Sequence, residues 1–246
     1  MMFPNLKTVL GLFVIVGSVC LFSSNASAST VGLLRVDSGS GGVIVGLNSI
    51  DWLPTGGGTG TFVVGAGTTL TSALGSPVAG STGSVLDLSG STVLPLANFM
   101  TFTTVPGLAF DLGFVGPGSA NTNCAGLAIG GSCSVFAGSP FILTLTPTGT
   151  GVVFALGGIA RDGTTPSNWS GNFTTSISGM TPLQIQEAFG CVAGQGPAAC
   201  THPSATIGST FAGEFTATVT PVPEPGSIGL MGLGLIGLFC IRKKIA

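Results

Sequence analysis

The sequence is poor in charged side chains and in two of the residue types that most often carry chemistry. Among its 246 residues there is no Tyr and one His, and only 6% are Asp, Glu, Lys or Arg. A typical soluble domain has about 25% charged residues. Six Lys and Arg in total cannot neutralise a phosphate backbone, so nucleic acid is excluded as a partner. A hydrophobic content of 44% also excludes charge-driven disorder.

The first 28 residues have the three parts of a secretory signal. Lys7 supplies the positive charge, residues 8–22 form an apolar run, and Ala26-Ser27-Ala28 places small residues where signal peptidase reads them. The run is short for a membrane span, which needs about 20 apolar residues. We therefore expect a signal helix that enters the secretion translocase and is removed by signal peptidase, with Ala26 and Ala28 as the cleavage signal. A retained membrane anchor is the alternative.

Three features follow one another in the last 26 residues. Pro223-Glu224-Pro225 precedes an apolar segment, 226–241, and the basic cluster Arg242-Lys243-Lys244 comes after it. The prolines keep the preceding backbone extended, and the basic cluster stays on the cytoplasmic side of a membrane. A helix of this segment would be about 24 Å long, against roughly 30 Å of hydrocarbon. The mismatch favours a transient anchor over a permanent one.

This order of parts resembles the PEP-CTERM sorting signal of bacterial envelope proteins. The resemblance implies export by the general secretory route, a transient C-terminal transmembrane helix, and cleavage near Pro223-Glu224-Pro225 by the membrane transpeptidase exosortase. It also implies an association with exopolysaccharide and biofilm matrix. We therefore expect an exported protein that is anchored in the membrane for a time and then reaches the cell surface or the extracellular matrix.

The segment between the two signals, 29–220, predicts one β-rich extracellular domain. It holds two arginines, no Lys and seven acids, which gives a net charge of −5. Apolar and polar residues alternate in 108–114, 141–146 and 152–156, as they do in half-buried strands.

Further candidate strands are 61–64, 99–103, 173–177 and 211–219, bounded by clusters of Gly, Ser and Pro. Thr181, Pro182 and Gly190 predict one short helix between them. Many short strands with such turns are typical of a sandwich or a barrel. We expect an all-β, sandwich-like domain with one short helix.

Four cysteines lie in this domain, in two pairs with the spacing C-x₈-C: Cys124 with Cys133, and Cys191 with Cys200. An even number of cysteines in an exported chain favours disulfides. Nearest-neighbour pairing closes two short loops, but other connectivities stay open. A metal site made by Cys191, Cys200 and His202 is disfavoured, because the spacing is longer than in structural zinc knuckles. We expect no metal and no cofactor.

No catalytic motif is present in the domain. The one imidazole belongs to His202, and no Gly-x-Ser-x-Gly elbow occurs. Asp37, Asp51 and Asp87 lie among Gly and Ser, but the D-x-D-x-D pattern of a calcium loop is missing. We therefore expect a structural or adhesive protein that is not an enzyme.

Trp52 and Trp169 are possible glycan contacts, because their rings offer flat stacking surfaces; core packing is the other interpretation. Asn168-Trp169-Ser170 and Asn172-Phe173-Thr174 match the glycosylation sequon, and their closeness predicts an exposed loop. The alternative function is thus a carbohydrate-binding module of the exopolysaccharide matrix. A secreted hydrolase that uses acidic residues is a further alternative.

Overall fold

The structure is a computed structural model that describes residues 29–39, 41–54, 58–163 and 166–219. The expected signal helix in 1–28 and the expected transmembrane helix in 221–246 lie outside these residues. Within the described ranges, no helix has the length and apolar character that crossing a membrane requires.

In the described residues the chain forms fourteen strands and one α-helix, which confirms the all-β prediction with one short helix. The helix α1 is Pro182–Ala188, and a 3₁₀ turn spans Pro197–Ala199. The strands are β1 (Gly32–Asp37), β2 (Val43–Gly46), β3 (Ser49–Trp52), β4 (Thr59–Val64), β5 (Thr82–Leu86), β6 (Leu88–Ser89), β7 (Leu96–Phe102), β8 (Ala109–Val115), β9 (Ser132–Cys133), β10 (Phe141–Thr146), β11 (Gly149–Arg161), β12 (Ser167–Ser178), β13 (Thr206–Ser209) and β14 (Ala212–Val219).

Eight of the strands close into a barrel-like ring. Their order is β1-β4-β5-β7-β8-β11-β12-β14, β14 pairs with β1 again, and all neighbours are antiparallel. The strands β10 and β9 continue from β11 outside the ring, and β13-β2-β3-β6 form a separate sheet. The sandwich-like prediction is therefore corrected to a closed sheet.

The ring closes because β12 pairs with β11 on one side and with β14 on the other; β11 and β12, with 13 and 12 residues, also extend beyond the ring. The first half of β11 pairs with β10 and its second half with β8, while β12 follows it along nearly its whole length. Because β12 also pairs with β14, the β11–β12 pair joins the two ends of the strand order into a ring. Closure gives each ring strand a partner on both sides and leaves no open edge.

The interior of the ring is filled by side chains. On β1, Leu34 and Val36 are buried while Arg35 and Asp37 face solvent, as strand alternation requires. Aromatic rings pack edge to face across the interior: Phe102 lies 5.6 Å from Phe62 and 5.7 Å from Phe110 between ring centroids. A ring of eight strands is just wide enough for such side chains to fill.

The chain enters and leaves the domain at the same end of the ring. β1 begins at Gly32, which pairs with Ala217 near the end of β14. At the opposite end, β12 runs past its last pair with β14, Thr174 with Ala212, and continues to Ser178 before α1 begins. The helix and the end of β12 that leads to it therefore lie at the end of the ring opposite Gly32 and Val219.

Helix α1 forms where the sequence predicts it. The Gln184 N–H donates to Thr181 Oγ1 at 3.3 Å, and the Thr181 N–H donates to Gln184 Oε1 at 2.8 Å, which is a capping box. Gly190 follows the helix with a φ of +65°, and a Cβ there would lie 2.0 Å from Thr201 Oγ1. The ring interior holds one hydrophobic cluster, and the apolar face of α1 contributes Ile185 and Phe189 to a second one. This second hydrophobic cluster also contains Cys124 and Cys133.

Candidate functional site

A polar groove crosses the outer face of the ring where β1, β14 and β12 lie side by side. We define it by five side chains: Arg35, Asp37, Asn172, Thr174 and Glu214. Its volume is about 430 Å³, and it continues past Asp37 and Thr174 into a second space of about 550 Å³. The strands aim these side chains outward because the residues that alternate with them fill the core.

Two of the three charged side chains of the polar groove pair with each other across strands. Arg35 and Glu214 are opposite one another in the β1–β14 register, and Arg35 Nε donates to Glu214 Oε2 at 3.1 Å. The two side chains are 48% and 61% exposed, so solvent screens the pair and its contribution to stability is small. Gly65 keeps the groove open, because a Cβ there would come within 2.9 Å of Asp37 Oδ2.

The donors and acceptors of the polar groove suit a ligand rich in hydroxyl groups. A guanidinium donates only, carboxylates accept, and the amide of Asn172 and the hydroxyl of Thr174 do both. The sequence contains a signal for β1, because Leu34 and Val36 alternate with Arg35 and Asp37. β1 was nevertheless not among the predicted strands. The pairing of Arg35 with Glu214 had no such signal, because 179 positions separate them.

Both tryptophans belong to the core, which corrects their interpretation as possible glycan contacts. Trp52 and Trp169 are each 2% exposed. Trp52 lies 4.4 Å from Phe173 between ring centroids, and the indole N–H of Trp169 donates to the carbonyl oxygen of Asp111 at 2.9 Å. Apolar neighbours cover both rings, so neither offers a face on which a sugar could stack.

The two sequons lie on the strand β12, not in an exposed loop as the sequence predicts. Asn168 and Asn172 are both exposed, because each alternates with an inward aromatic residue, Trp169 or Phe173. Strand pairing fixes the backbone of both sites between β11 and β14. The side chain of Asn172 is at the same time part of the polar groove.

The four cysteines are paired as nearest neighbours, Cys124 with Cys133 and Cys191 with Cys200. The sulfurs of Cys191 and Cys200 are thus bonded to each other and are not thiolate ligands for a metal. His202 is exposed beside this disulfide, and its backbone N–H donates to the carbonyl oxygen of Phe189 at 3.1 Å. In the described part of the chain, no three His, Cys, Asp or Glu side chains come together as a metal site.

Asp111 and Arg161 form the second ion pair among the described residues. Arg161 Nη2 donates to Asp111 Oδ1 at 2.7 Å and to Asn98 Oδ1 at 3.2 Å, and the Asn98 backbone N–H donates to Asp111 at 2.7 Å. Burial acts to raise the pKa of the Asp111 carboxyl, but these hydrogen bonds and the Arg161 charge outweigh it and hold the pKa below its ordinary value. The Asp111 carboxylate on β8 is therefore ionised and links β7 and β11 to β8 through its hydrogen bonds to Asn98 and Arg161.

Asp51 and Asp87 are neighbours, whereas Asp37 lies in the polar groove. Asp87 Oδ1 accepts a hydrogen bond from the Trp52 backbone N–H at 2.8 Å. Burial, and then the negative charge of Asp87, raise the pKa of the Asp51 carboxyl. The structure thus brings together two of the three aspartates that the sequence singled out.

The C-terminal residues, which lie beyond the described domain, decide the assignment. In a comparison with known protein families, residues 221–244 match the family described as PEP-CTERM protein-sorting motif. This segment of the chain is a PEP-CTERM sorting motif. The match includes Pro223-Glu224-Pro225, the apolar segment and the basic cluster Arg242-Lys243-Lys244.

The PEP-CTERM motif implies that the protein is exported, that it passes through a membrane-associated stage, and that exosortase is its processing partner. The predicted cleavage signal at Ala26 and Ala28 lies outside the described residues, as do the parts of the motif. No curated protein and no solved structure matches the chain.

Proposed function

We propose that the protein is a non-catalytic component of the bacterial cell surface or extracellular matrix, with a structural or adhesive function. In this proposal signal peptidase removes residues 1–28, and the C-terminal helix holds the protein in the membrane until exosortase cuts near Pro223-Glu224-Pro225. The observation that carries the proposal is the PEP-CTERM motif at residues 221–244. It supports export and processing, and a matrix component needs both.

The state of the acidic residues supports the non-catalytic part of the proposal. Asp111 and Glu214 are paired with arginines, and Asp87 accepts a hydrogen bond from the backbone. Asp162 is buried and accepts hydrogen bonds from Thr30 Oγ1 at 3.2 Å and from the Ala73 N–H at 2.9 Å. These partners engage four of the domain's carboxylates in contacts within the protein.

Deleting the gene tests the matrix function. The deletion strain is expected to retain less matrix and to attach to surfaces less well than the parent, because a sorted structural component is missing. Attached biomass and extracted matrix are measured in parent, deletion and complemented strains. Equal attachment and equal matrix in parent and deletion strains would contradict the proposal, provided that the parent makes the protein.

Carbohydrate binding remains a second candidate because the polar groove offers it a site that needs no exposed tryptophan. If it is correct, binding on a glycan array is expected to fall at least about tenfold in Glu214→Gln, since a carboxylate that accepts sugar hydrogen bonds contributes about 1.5 kcal/mol or more. Glu187→Gln is the matched control. Glu187 is exposed on α1, so this substitution removes the same charge at a position outside the groove. Absence of binding, or an equal loss in both variants, counts against this candidate.

A further inference from the structure

A cleft that the proposed matrix function does not use is lined by residues of both hydrophobic clusters, the one in the ring interior and the second one. The cleft opens between the β2–β3 turn, the strand β6 and the chain that leads into β10. Its mouth has a volume of about 310 Å³ and lies over Leu47, Phe136 and Phe154. Pockets for small molecules have volumes of about 300–1,000 Å³, so the mouth alone has the size of a small site.

Two smaller spaces continue the cleft inward, between the separate sheet and the strands β10, β11 and β12. One, of about 40 Å³, lies against Leu143, Ile185 and Phe189; the other, of about 30 Å³, lies against Trp52 and Phe173. Phe141 lines the mouth and both inner spaces. Its half-buried ring stacks on Phe154 with 5.1 Å between centroids, and among the described residues it is the one lining residue that the three spaces share.

The chemistry of the walls restricts the ligand. Among the described residues that line the three spaces, none has an ionisable side chain. The inner walls are mainly aliphatic and aromatic, with Ser139, Thr174, Thr175 and Ser209 as their polar residues, whereas the mouth carries three exposed polar residues, Asn48, Ser49 and Ser89. A charged ligand would find no counter-ion, and a wide polar ligand would not fit the inner spaces.

We propose that this cleft binds a neutral molecule with a single alkyl chain. The chain lies along the inner spaces with the Phe141 ring turned aside, and a hydroxyl or amide end stays at the mouth beside Asn48 and Ser89. The cleft is at the end of the ring that carries α1, remote from where the chain enters and leaves.

The test uses the exported protein purified from the producing cells, with the neutral fluorophore N-phenyl-1-naphthylamine as the probe and straight-chain alcohols as competitors. Saturable binding is expected, and competition from hexanol to decanol should strengthen by about fourfold for each methylene that is buried. Val115 is half-buried at the mouth, and Val115→Trp is expected to weaken binding about sixteenfold, the equivalent of two lost methylenes.

Two further variants make the result specific to the cleft. Val78→Trp adds the same ring at a position that is 61% exposed and outside the cleft lining, and it should bind as the parent does. Phe141→Ala joins the three spaces, so the chain length at which affinity stops rising should increase. Circular dichroism verifies that each variant is folded. Absence of saturable binding, or equal binding by Val115→Trp and Val78→Trp together with an unchanged chain-length limit in Phe141→Ala, would overturn the proposal.

Discussion

Trp169→Ala is expected to lower the free energy of unfolding by about 3–5 kcal/mol, a large part of the stability of a typical domain. The indole is 2% exposed. Its ring lies 5.5 Å from Phe110 and 5.7 Å from Phe215 between centroids, so truncation leaves a cavity in the centre of the ring of strands. The substitution also leaves the carbonyl oxygen of Asp111 without its indole donor. Urea unfolding followed by circular dichroism measures the change.

Asn168→Ala is the matched control for this prediction. Asn168 is the exposed neighbour of Trp169 on β12, and its loss should change the unfolding free energy by no more than about 0.5 kcal/mol. If Trp169→Ala unfolded at the same urea concentration as the parent, Trp169 could not be a core residue. Trp169 would then have to be considered again as a sugar contact, because its ring would be free to stack on a ligand.

Replacing Pro223, Glu224 and Pro225 together by alanine is expected to abolish C-terminal processing. The family match places this tripeptide within the sorting motif, and alanines there would allow helical backbone where prolines keep it extended. The uncut protein should keep its apolar segment and basic cluster and accumulate in the inner membrane. Cell fractionation with immunoblotting reads both the size and the location.

The control for the sorting variant replaces Pro221 and Val222 by alanine and keeps the tripeptide. Both positions lie inside the matched segment 221–244, so a protein that is processed and located as the parent is would show that the tripeptide, and not the segment's first two residues, directs processing. A tripeptide variant that is cut to the parental size and leaves the membrane would show that processing does not depend on Pro223-Glu224-Pro225.

Local patterns in the sequence were enough to locate several strands and the one helix. The alternation in 108–114 and 141–146 corresponds to β8 and β10, and Thr181 caps α1 as its position suggests. The stretch Pro147-Thr148-Gly149-Thr150-Gly151 is turn-like in the sequence, yet only its first two residues form the turn and the other three begin β11. Pairing with β10 and β12 on either side overrides the weak strand propensity of glycine there.

Closure of the ring could not be predicted because it depends on partners far apart in the chain. β1 pairs with β14, and the ladder joins Arg35 to Glu214. Period-two alternation tells which residues share a face, but not which strand lies beside which. The same limit applies to the polar groove and to the cleft, whose walls come from distant segments.

The local sequence pattern indicated that Trp169 is buried, but the glycosylation sequons around it favoured a different interpretation. Trp169 and Phe173 alternate with Asn168 and Asn172, which is the pattern of a strand with one buried face. The two closely spaced sequons favoured a loop instead. The PEP-CTERM motif, by contrast, is linear, so its residues were identified from the sequence in full.

The C-terminus of the exported protein tests the central claim most directly. Intact mass spectrometry of the protein recovered from the cell surface and the matrix, with peptide mapping of its last residues, gives that end. We predict a chain that starts at Ser29 and ends near Pro223-Glu224-Pro225, without the apolar segment 226–241 and the basic cluster. Recovery of a chain that still extends to Ala246 at the cell surface would contradict export through exosortase processing.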